Sequence, residues 1–244
     1  MTNLTIGDDL LASLSIESRE QLRTYRDLIL HWNQRFNLTA LESEEAVDQR
    51  LIGDALRLLP TIDVVLTRRP DGRRLVDLGT GAGLPGVAIK IARPDLDVTL
   101  IDATQKKVHF VQHVIDELGL TGTHTIHGRA EDIGRMMDYR QQYAIGTARA
   151  VAALPTLLEL LLPLIEPGGT FLLPKGEAIA EELAAGRRAA GMLGGRILDA
   201  TLLPECAGAP VTRLVTGVKL RSTSDRYPRR AGIPNREPLG RDSP

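Results

Sequence analysis

Residues 77–86 read Asp-Leu-Gly-Thr-Gly-Ala-Gly-Leu-Pro-Gly and follow directly on the apolar run Arg74-Leu-Val-Asp-Leu78. Glycine has no Cβ, so glycines at alternate positions let the backbone turn sharply and let a ligand approach main-chain N–H groups. Gly79, Gly81 and Gly83 alternate within five residues, more than a tight turn alone requires. Pro85 suits the early turn of a helix that opens here. Strand, glycine turn and helix in succession place the turn at the carboxyl edge of a parallel sheet, where layered α/β proteins bind nucleotides.

The remaining chain supports that layering. Arg74–Leu78, Asp97–Asp102, Thr123–His127, Tyr143–Ile145 and Thr170–Leu173 read as strands. Thr104–Leu118, Leu154–Ile165 and Glu177–Ala190 carry apolar residues at helical spacing between them. Strands alternating with helices predict a parallel sheet with right-handed crossovers. Arg196–Leu203 and Arg213–Leu220 have no helix between them and are expected to pair as an antiparallel hairpin at one edge, completing a doubly wound, mostly parallel seven-stranded sheet. Aromatic residues make up only 3% of the chain, so the core must come from Leu, Val, Ile and Ala, which suits such a sheet and disfavours an all-β sandwich.

At ~150 residues per domain, the 244-residue length allows one large domain with appendages. Residues 1–66 are expected to form an N-terminal helical extension. Leu22, Tyr25, Ile29, Trp32 and Phe36 draw one apolar stripe there, and a second helix starts near Ser43 and is expected to stop at Pro60. Residues 67–221 form the ligand-binding domain. Residues 222–244, with Pro228, Pro234, Pro238 and Pro244 among short polar residues, read as a basic Pro/Arg-rich tail. From Lys219 to Arg236 six bases face one acid, so this segment is either a solvated terminus or a phosphate-contacting arm.

Charge and cysteine content exclude several classes. The formal net charge of -1 gives no chain-wide field toward nucleic acid or anionic lipid. The most apolar stretch, Leu157–Ile165, is broken by Glu159 and Pro163 and is far shorter than the ~20 residues of a membrane span. A single cysteine, Cys206, allows neither an intramolecular disulfide nor a cysteine cage for zinc, and with no cationic leader the expected location is the cytoplasm. His109, His113 and Glu117 share a helical face, but neighbouring Lys106 and Lys107 make it a solvated face, and no metal is expected. Trp32 and Phe36 read as core anchors ahead of base-stacking platforms.

The ligand is less determined by spacing alone. Gly81-Ala-Gly83-Leu-Pro-Gly86 satisfies GxGxxG, and Asp102 lies 21 residues beyond Gly81, where a dinucleotide enzyme holds its ribose-binding acid. A nicotinamide-dependent oxidoreductase is therefore one reading, although no second glycine turn follows. An adenosine-type ligand needs only one such half, with Asp102 accepting hydrogen bonds from both ribose hydroxyls. Capping the helix that starts near Thr104 is a compatible role.

Asp77-Leu-Gly-Thr-Gly-Ala-Gly83 followed by Asp102 resembles the class I methyltransferases that use S-adenosylmethionine. With Asn37-Leu-Thr-Ala40, Leu84-Pro-Gly86, Ala148-Arg-Ala150, Lys175-Gly176 and Tyr227-Pro-Arg-Arg-Ala-Gly-Ile-Pro-Asn235, the chain resembles the glucose-inhibited division protein B family of 16S ribosomal RNA (guanine-N7)-methyltransferases from Trp32 to Leu239. The resemblance implies the class I methyltransferase fold, S-adenosylmethionine as cofactor and 16S ribosomal RNA in the small ribosomal subunit as partner, with the protein acting as a monomer. It also implies cofactor contacts at Gly79, Leu84, Asp102, Ala103, Thr104, Ala130, Glu131 and Arg149, with Glu131 meeting the adenine amino group and Arg149 and Lys175 positioning the RNA. The chain departs from the family in having Arg50-Leu51 where an Arg-His pair is common before Asp54, and Asp-Ala-Thr-Gln-Lys-Lys from Asp102 in place of Asp-Ser-Leu with Lys-Arg. Guanine N7 carries an in-plane lone pair and no proton, so the implied reaction requires no general base, and no Ser/His/Asp or Cys/His signature is present. A non-catalytic RNA-binding module that keeps the cleft is the remaining alternative.

Overall fold

A computed structural model of the chain describes residues 4–6, 8–206 and 208–240. Residues 1–3 and 7 of the expected extension and 241–244 of the expected tail lie outside the described residues. The order of elements is α1 (Asp8–Ala12), α2 (Ile16–Phe36), α3 (Glu44–Val47), a π-helical turn (Asp48–Gly53), α4 (Asp54–Leu56) and α5 (Leu59–Arg68). The alternating part follows as β1 (Arg74–Leu78), α6 (Gly86–Ala92), β2 (Asp97–Asp102), α7 (Gln105–Leu118), β3 (Thr123–His127), α8 (Ala130–Ile133), β4 (Tyr143–Thr147), α9 (Leu154–Leu161) and β5 (Ile165–Lys175). A 3₁₀ turn (Glu177–Ile179), α10 (Ala180–Met192), β6 (Gly195–Leu202), β7 (Arg213–Lys219) and α11 (Ile233–Arg236) complete the chain.

The seven strands lie in the order β3-β2-β1-β4-β5-β7-β6. β1 to β5 run parallel, while β7 is antiparallel to both β5 and β6. The expected hairpin exists, and its second strand, β7, sits inside β6. This order differs from the dinucleotide-binding sheet, in which a sixth parallel strand extends the second half, and it removes the structural basis of the oxidoreductase reading.

Successive residues of the central strands supply opposite faces of the sheet, and two cores result. Leu75, Val98 and Leu100 pack with Leu22, Tyr25, Ile29 and the apolar residues of α5, α6 and α7. Val76, Leu78 and Ile101 pack on the other face with α9, Ala189, Ala190 and Leu239. The helices α2 to α5 therefore cover the α6/α7 face of the sheet. Ser15 caps α2 by accepting from Ser18 N–H, and Asn37 ends it in the left-handed conformation.

Two expectations are corrected. Pro60 does not end a helix: it sits in the first turn of α5, where its missing N–H costs no intrahelical bond, and the break falls before it. Residues 222–240 are not a solvated tail, because Thr223, Pro234 and Leu239 are buried and α11 packs against α9. Pro228 and Pro234 are buried and Arg229 is tied to the buried Glu159, where a free chain would leave them in solvent.

Candidate active site

The glycine turn is held from three sides. Asp77, fully buried in β1, accepts from Thr80 Oγ1 at 2.6 Å and from the Gly86 N–H at 2.9 Å through Oδ2. Burial pushes its carboxyl up to about 6, against the downward pull of those two hydrogen bonds. The N–H groups of Gly79 and Thr80 donate to the Ile101 carbonyl at 2.8 and 3.0 Å, which joins the turn to β2. From the N-terminal helices, the buried Tyr25 hydroxyl donates to Ala82 O at 2.6 Å.

Gly79, Gly81 and Gly83 all have positive φ, of 68°, 62° and 93°. At Gly79 the missing side chain matters twice, because a Cβ there would also lie 2.5 Å from Val151 Cγ2. Gly86 has an ordinary φ but no room, since a Cβ would lie 2.3 Å from Leu100 Cδ2. Only without side chains at these places can the turn lie against Val151 and helix α6 against β2.

Asp102 ends β2 and is buried. Its Oδ2 accepts from the Gly81 N–H at 2.9 Å and its Oδ1 from the Thr104 N–H at 2.8 Å. One carboxylate thus fixes both the glycine turn and the corner leading into α7, of which Thr104 is the N-cap. Each oxygen retains a second lone pair for a further donor. Glu131, in the first turn of α8, is buried, and its Oε1 accepts from the Gly232 N–H at 3.0 Å.

These groups converge on a cleft of about 300 Å³ at the carboxyl edge of the sheet. Of the residues singled out in the sequence, Gly79, Asp102, Ala103, Ala130 and Glu131 line it. Leu78, Ile101 and Leu160 give it apolar walls, and Val151 and Ala152 close one side. Leu84 does not line it, because the side chain after the turn enters the core beneath with Val87. Arg149 and Lys175 lie elsewhere, in a second cleft of about 380 Å³ shared with Arg50 and Asp54.

The loop from Ala148 to Ala153 separates the two clefts, with Ala150 at φ 55°. Val151 and Ala152 face the first and Arg149 and Ala150 the second. In the second cleft Arg149 Nη1 pairs with Asp54 Oδ2 at 3.3 Å. Lys175 Nζ donates to Ala152 O at 2.9 Å and pairs with Glu182 Oε2 at 3.1 Å. Asp54 is buried and also accepts from Arg57 and Thr212, at 2.8 and 3.1 Å.

Sequence reasoning missed Gly232, Pro234 and Asn235, which form the far wall of the first cleft. The signal was available in the Tyr227–Asn235 motif, which carried the family resemblance but whose segment was read as a solvated terminus or a phosphate-contacting arm. Among the described residues no group of three or more His, Cys, Asp or Glu could hold a metal ion. His109 and His113 instead pack around Trp32, with ring centroids at 6.0 and 5.2 Å. Trp32 is half-buried, and Phe36, expected as a core anchor, is 40% exposed with Lys106 Nζ 5.9 Å above its ring. No helix among the described residues is long and apolar enough to cross a membrane.

Residues 18–205 match the model of the family described as rRNA small subunit methyltransferase G, GidB. The chain is similar to the ribosomal RNA small subunit methyltransferase G of Alkaliphilus oremlandii, 40% identical over 90% of both chains. It is also similar to that of Desulfitobacterium hafniense, 39% identical over 93% of this chain and 91% of the relative. In fold it is similar to TrmN from Thermus thermophilus, with a TM-score of 0.51 and 19% identity, covering 77% of this chain and 53% of that one.

Proposed function

The chain belongs to the rRNA small subunit methyltransferase G family, and from that premise we propose that it transfers a methyl group from S-adenosylmethionine to N7 of a guanine in 16S ribosomal RNA. The observation that carries the reading is the first cleft, where two buried carboxylates, Asp102 and Glu131, stand at the ends of successive strand connections and flank apolar walls. That donor set fits a nucleoside. Asp102 retains acceptor capacity for ribose hydroxyls and Glu131 for the adenine amino group, while Gly79 and Ala103 leave the floor open to a flat ring. Thr104, which does not line the cleft, holds Asp102 through its N–H, and Leu84 supports the turn from the core.

When bound, S-adenosylmethionine supplies a methyl group on a sulfonium. The chain's residues then have to hold it and bring N7 into line. Because N7 already presents a lone pair, no side chain has to remove a proton, and the carboxylates of the cleft are free to act as hydrogen-bond acceptors. Alignment alone can contribute ~7 kcal/mol or more to the barrier reduction. Arg149 and Lys175 line the adjoining cleft and offer cationic donors for RNA phosphates or for the guanine O6 acceptor. An unstacked guanine in a loop or distorted segment of RNA can present its N7 edge to this place.

The first cleft is built within one chain, so a monomer acting on the small ribosomal subunit in the cytoplasm is sufficient. The test is tritiated methyl transfer to naked RNA, isolated small subunits and whole ribosomes in parallel, with the modified base identified. Label in N7-methylguanosine of the small-subunit RNA is expected. Saturable cofactor binding without label in any RNA would turn the reading toward a non-catalytic binding module. NAD(P) binding in place of S-adenosylhomocysteine would turn it toward an oxidoreductase.

A further inference from the structure

Helix α9 is apolar along its length except for Thr156 and one charged residue, Glu159, whose side chain is wholly buried. A carboxylate in such a place requires a partner, and it comes from the chain 70 residues on. Arg229 Nε and Nη2 approach Glu159 Oε1 and Oε2 at 2.9 and 2.7 Å, and the Arg229 main-chain N–H donates to Oε1 at 2.9 Å. Nη2 also reaches the Glu237 carbonyl at 2.6 Å, so one guanidinium ties α9 to both ends of the segment around α11.

The same segment is fixed on either side of the cleft. Thr156 Oγ1, on α9, donates to Pro234 O at 2.8 Å, and the Gly232 N–H donates to Glu131 Oε1. Gly232 adopts φ 82°, which bends the chain into the cleft. Asn235, exposed to solvent, stands beside Gly232 and Pro234 in the cleft wall. These bonds account for Arg229 as an internal tie and leave it little capacity to neutralise an RNA phosphate.

We propose that residues 227–236 form a wall of the S-adenosylmethionine site, with Arg229 the positioning residue that holds this wall against α9 and Asn235 the polar side chain it presents to the cofactor. This rests on the reading of the first cleft as the cofactor seat. The carboxamide of Asn235 can both donate and accept, which suits the mixed edge of a purine. Binding at Glu131 and placement of the wall are linked, because the carboxylate that meets the ligand also holds Gly232.

The experiment measures S-adenosylhomocysteine binding by calorimetry and RNA binding over a salt series, for the full chain and for Asn235→Ala and Arg229→Lys. Asn235→Ala removes an exposed side chain and leaves the anchors in place, so its melting temperature serves as the control for folding. Arg229→Lys keeps a cation for Glu159 but loses the planar fork. The expected result is a Kd for S-adenosylhomocysteine raised about three- to tenfold in Asn235→Ala, the loss of one hydrogen bond, and at least as much in Arg229→Lys, with the salt slope of RNA binding unchanged. Unchanged cofactor affinity in Asn235→Ala, at the wild-type melting temperature, overturns the proposal. So does a loss confined to RNA affinity with a flatter salt slope, which would make the segment a phosphate-contacting arm. Failure of the wild-type chain itself to bind S-adenosylhomocysteine overturns the cofactor seat as well, and so is distinguishable from failure of the wall alone.

Discussion

Asp77 offers a direct test of how the glycine turn stores electrostatic cost. Its carboxyl is fully buried, with Oδ2 bonded to Thr80 and Gly86 while Oδ1 has no hydrogen-bond partner among the described residues. Burial raises its pKa from 3.8 to about 6, so the folded protein binds the proton more tightly than the unfolded chain. The stability this group contributes is complete below pH 3.8 and is lost as the pH rises through about 6. A shift from 3.8 to about 6 corresponds to about 3 kcal/mol at 1.36 kcal/mol per pH unit. Asp77→Asn can place its amide oxygen where Oδ2 sits, keep both bonds, and carry no titratable charge. Urea unfolding of both proteins, repeated from about pH 4 to about pH 7, isolates the term, because other carboxylates titrate in both and cancel in the difference. Relative to wild type, the variant should gain about 3 kcal/mol across that window. A difference that stays flat with pH would refute the argument that the ionised carboxylate is held against the cost of burial.

Three further outcomes follow from the same geometry. Asp102→Ala frees the N–H groups of Gly81 and Thr104 and removes an acceptor from the cleft, so calorimetry should show S-adenosylhomocysteine affinity weakened by ~1–3 kcal/mol; unaltered affinity would reject the assignment. Gly79→Ala and Gly81→Ala share the strain of a positive φ, about 1–2 kcal/mol, but only the first meets Val151, whereas a Cβ at Gly81 finds no atom closer than 4.0 Å. Both should melt lower, Gly79→Ala by more because of the added clash with Val151, and cofactor affinity should fall further in Gly79→Ala; equal melting temperatures and equal affinities would refute the packing of Val151 against Gly79 at the cleft wall. Deleting residues 222–244 leaves the buried Glu159 without its cation, a loss of the ~3–5 kcal/mol class, so the shortened chain should show a much lower melting temperature by calorimetry. A shortened chain that melts like the full one would return the segment to the status of an appendage.

What could be read in the sequence is what neighbours along the chain determine. β1, β2 and β3 were placed at their observed bounds because each is a short β-branched or apolar run flanked by turn residues, and the glycine turn announced itself by composition. β5 was read too short, as Thr170–Leu173 instead of Ile165–Lys175, because Glu166-Pro-Gly-Gly interrupts the apolar run; the strand starts at Ile165 opposite Tyr143, shifts register against β4 across that stretch, and pairs with β7 from Thr170 on. The π-helical turn at Asp48–Gly53 has no local signature; Asp48 there is buried against Arg26 and Thr5, partners far away in sequence. The cleft divides in the same way. Asp102 was legible because its spacing from the turn is local, whereas Arg149 was assigned to the cofactor although its ion pair with Asp54 draws it into the other cleft. The terminal segment is the instructive case. Its composition argues for a solvated arm, but the decisive residue is Glu159, a lone carboxylate inside an apolar helix. A carboxylate that cannot reach water must be matched, and here a single arginine of the terminal segment, Arg229, matches it. A buried charge in one element thus explains one base, Arg229, of an apparently surplus basic stretch in another. The two read together place Gly232, Pro234 and Asn235 at the cleft, where reading either alone does not.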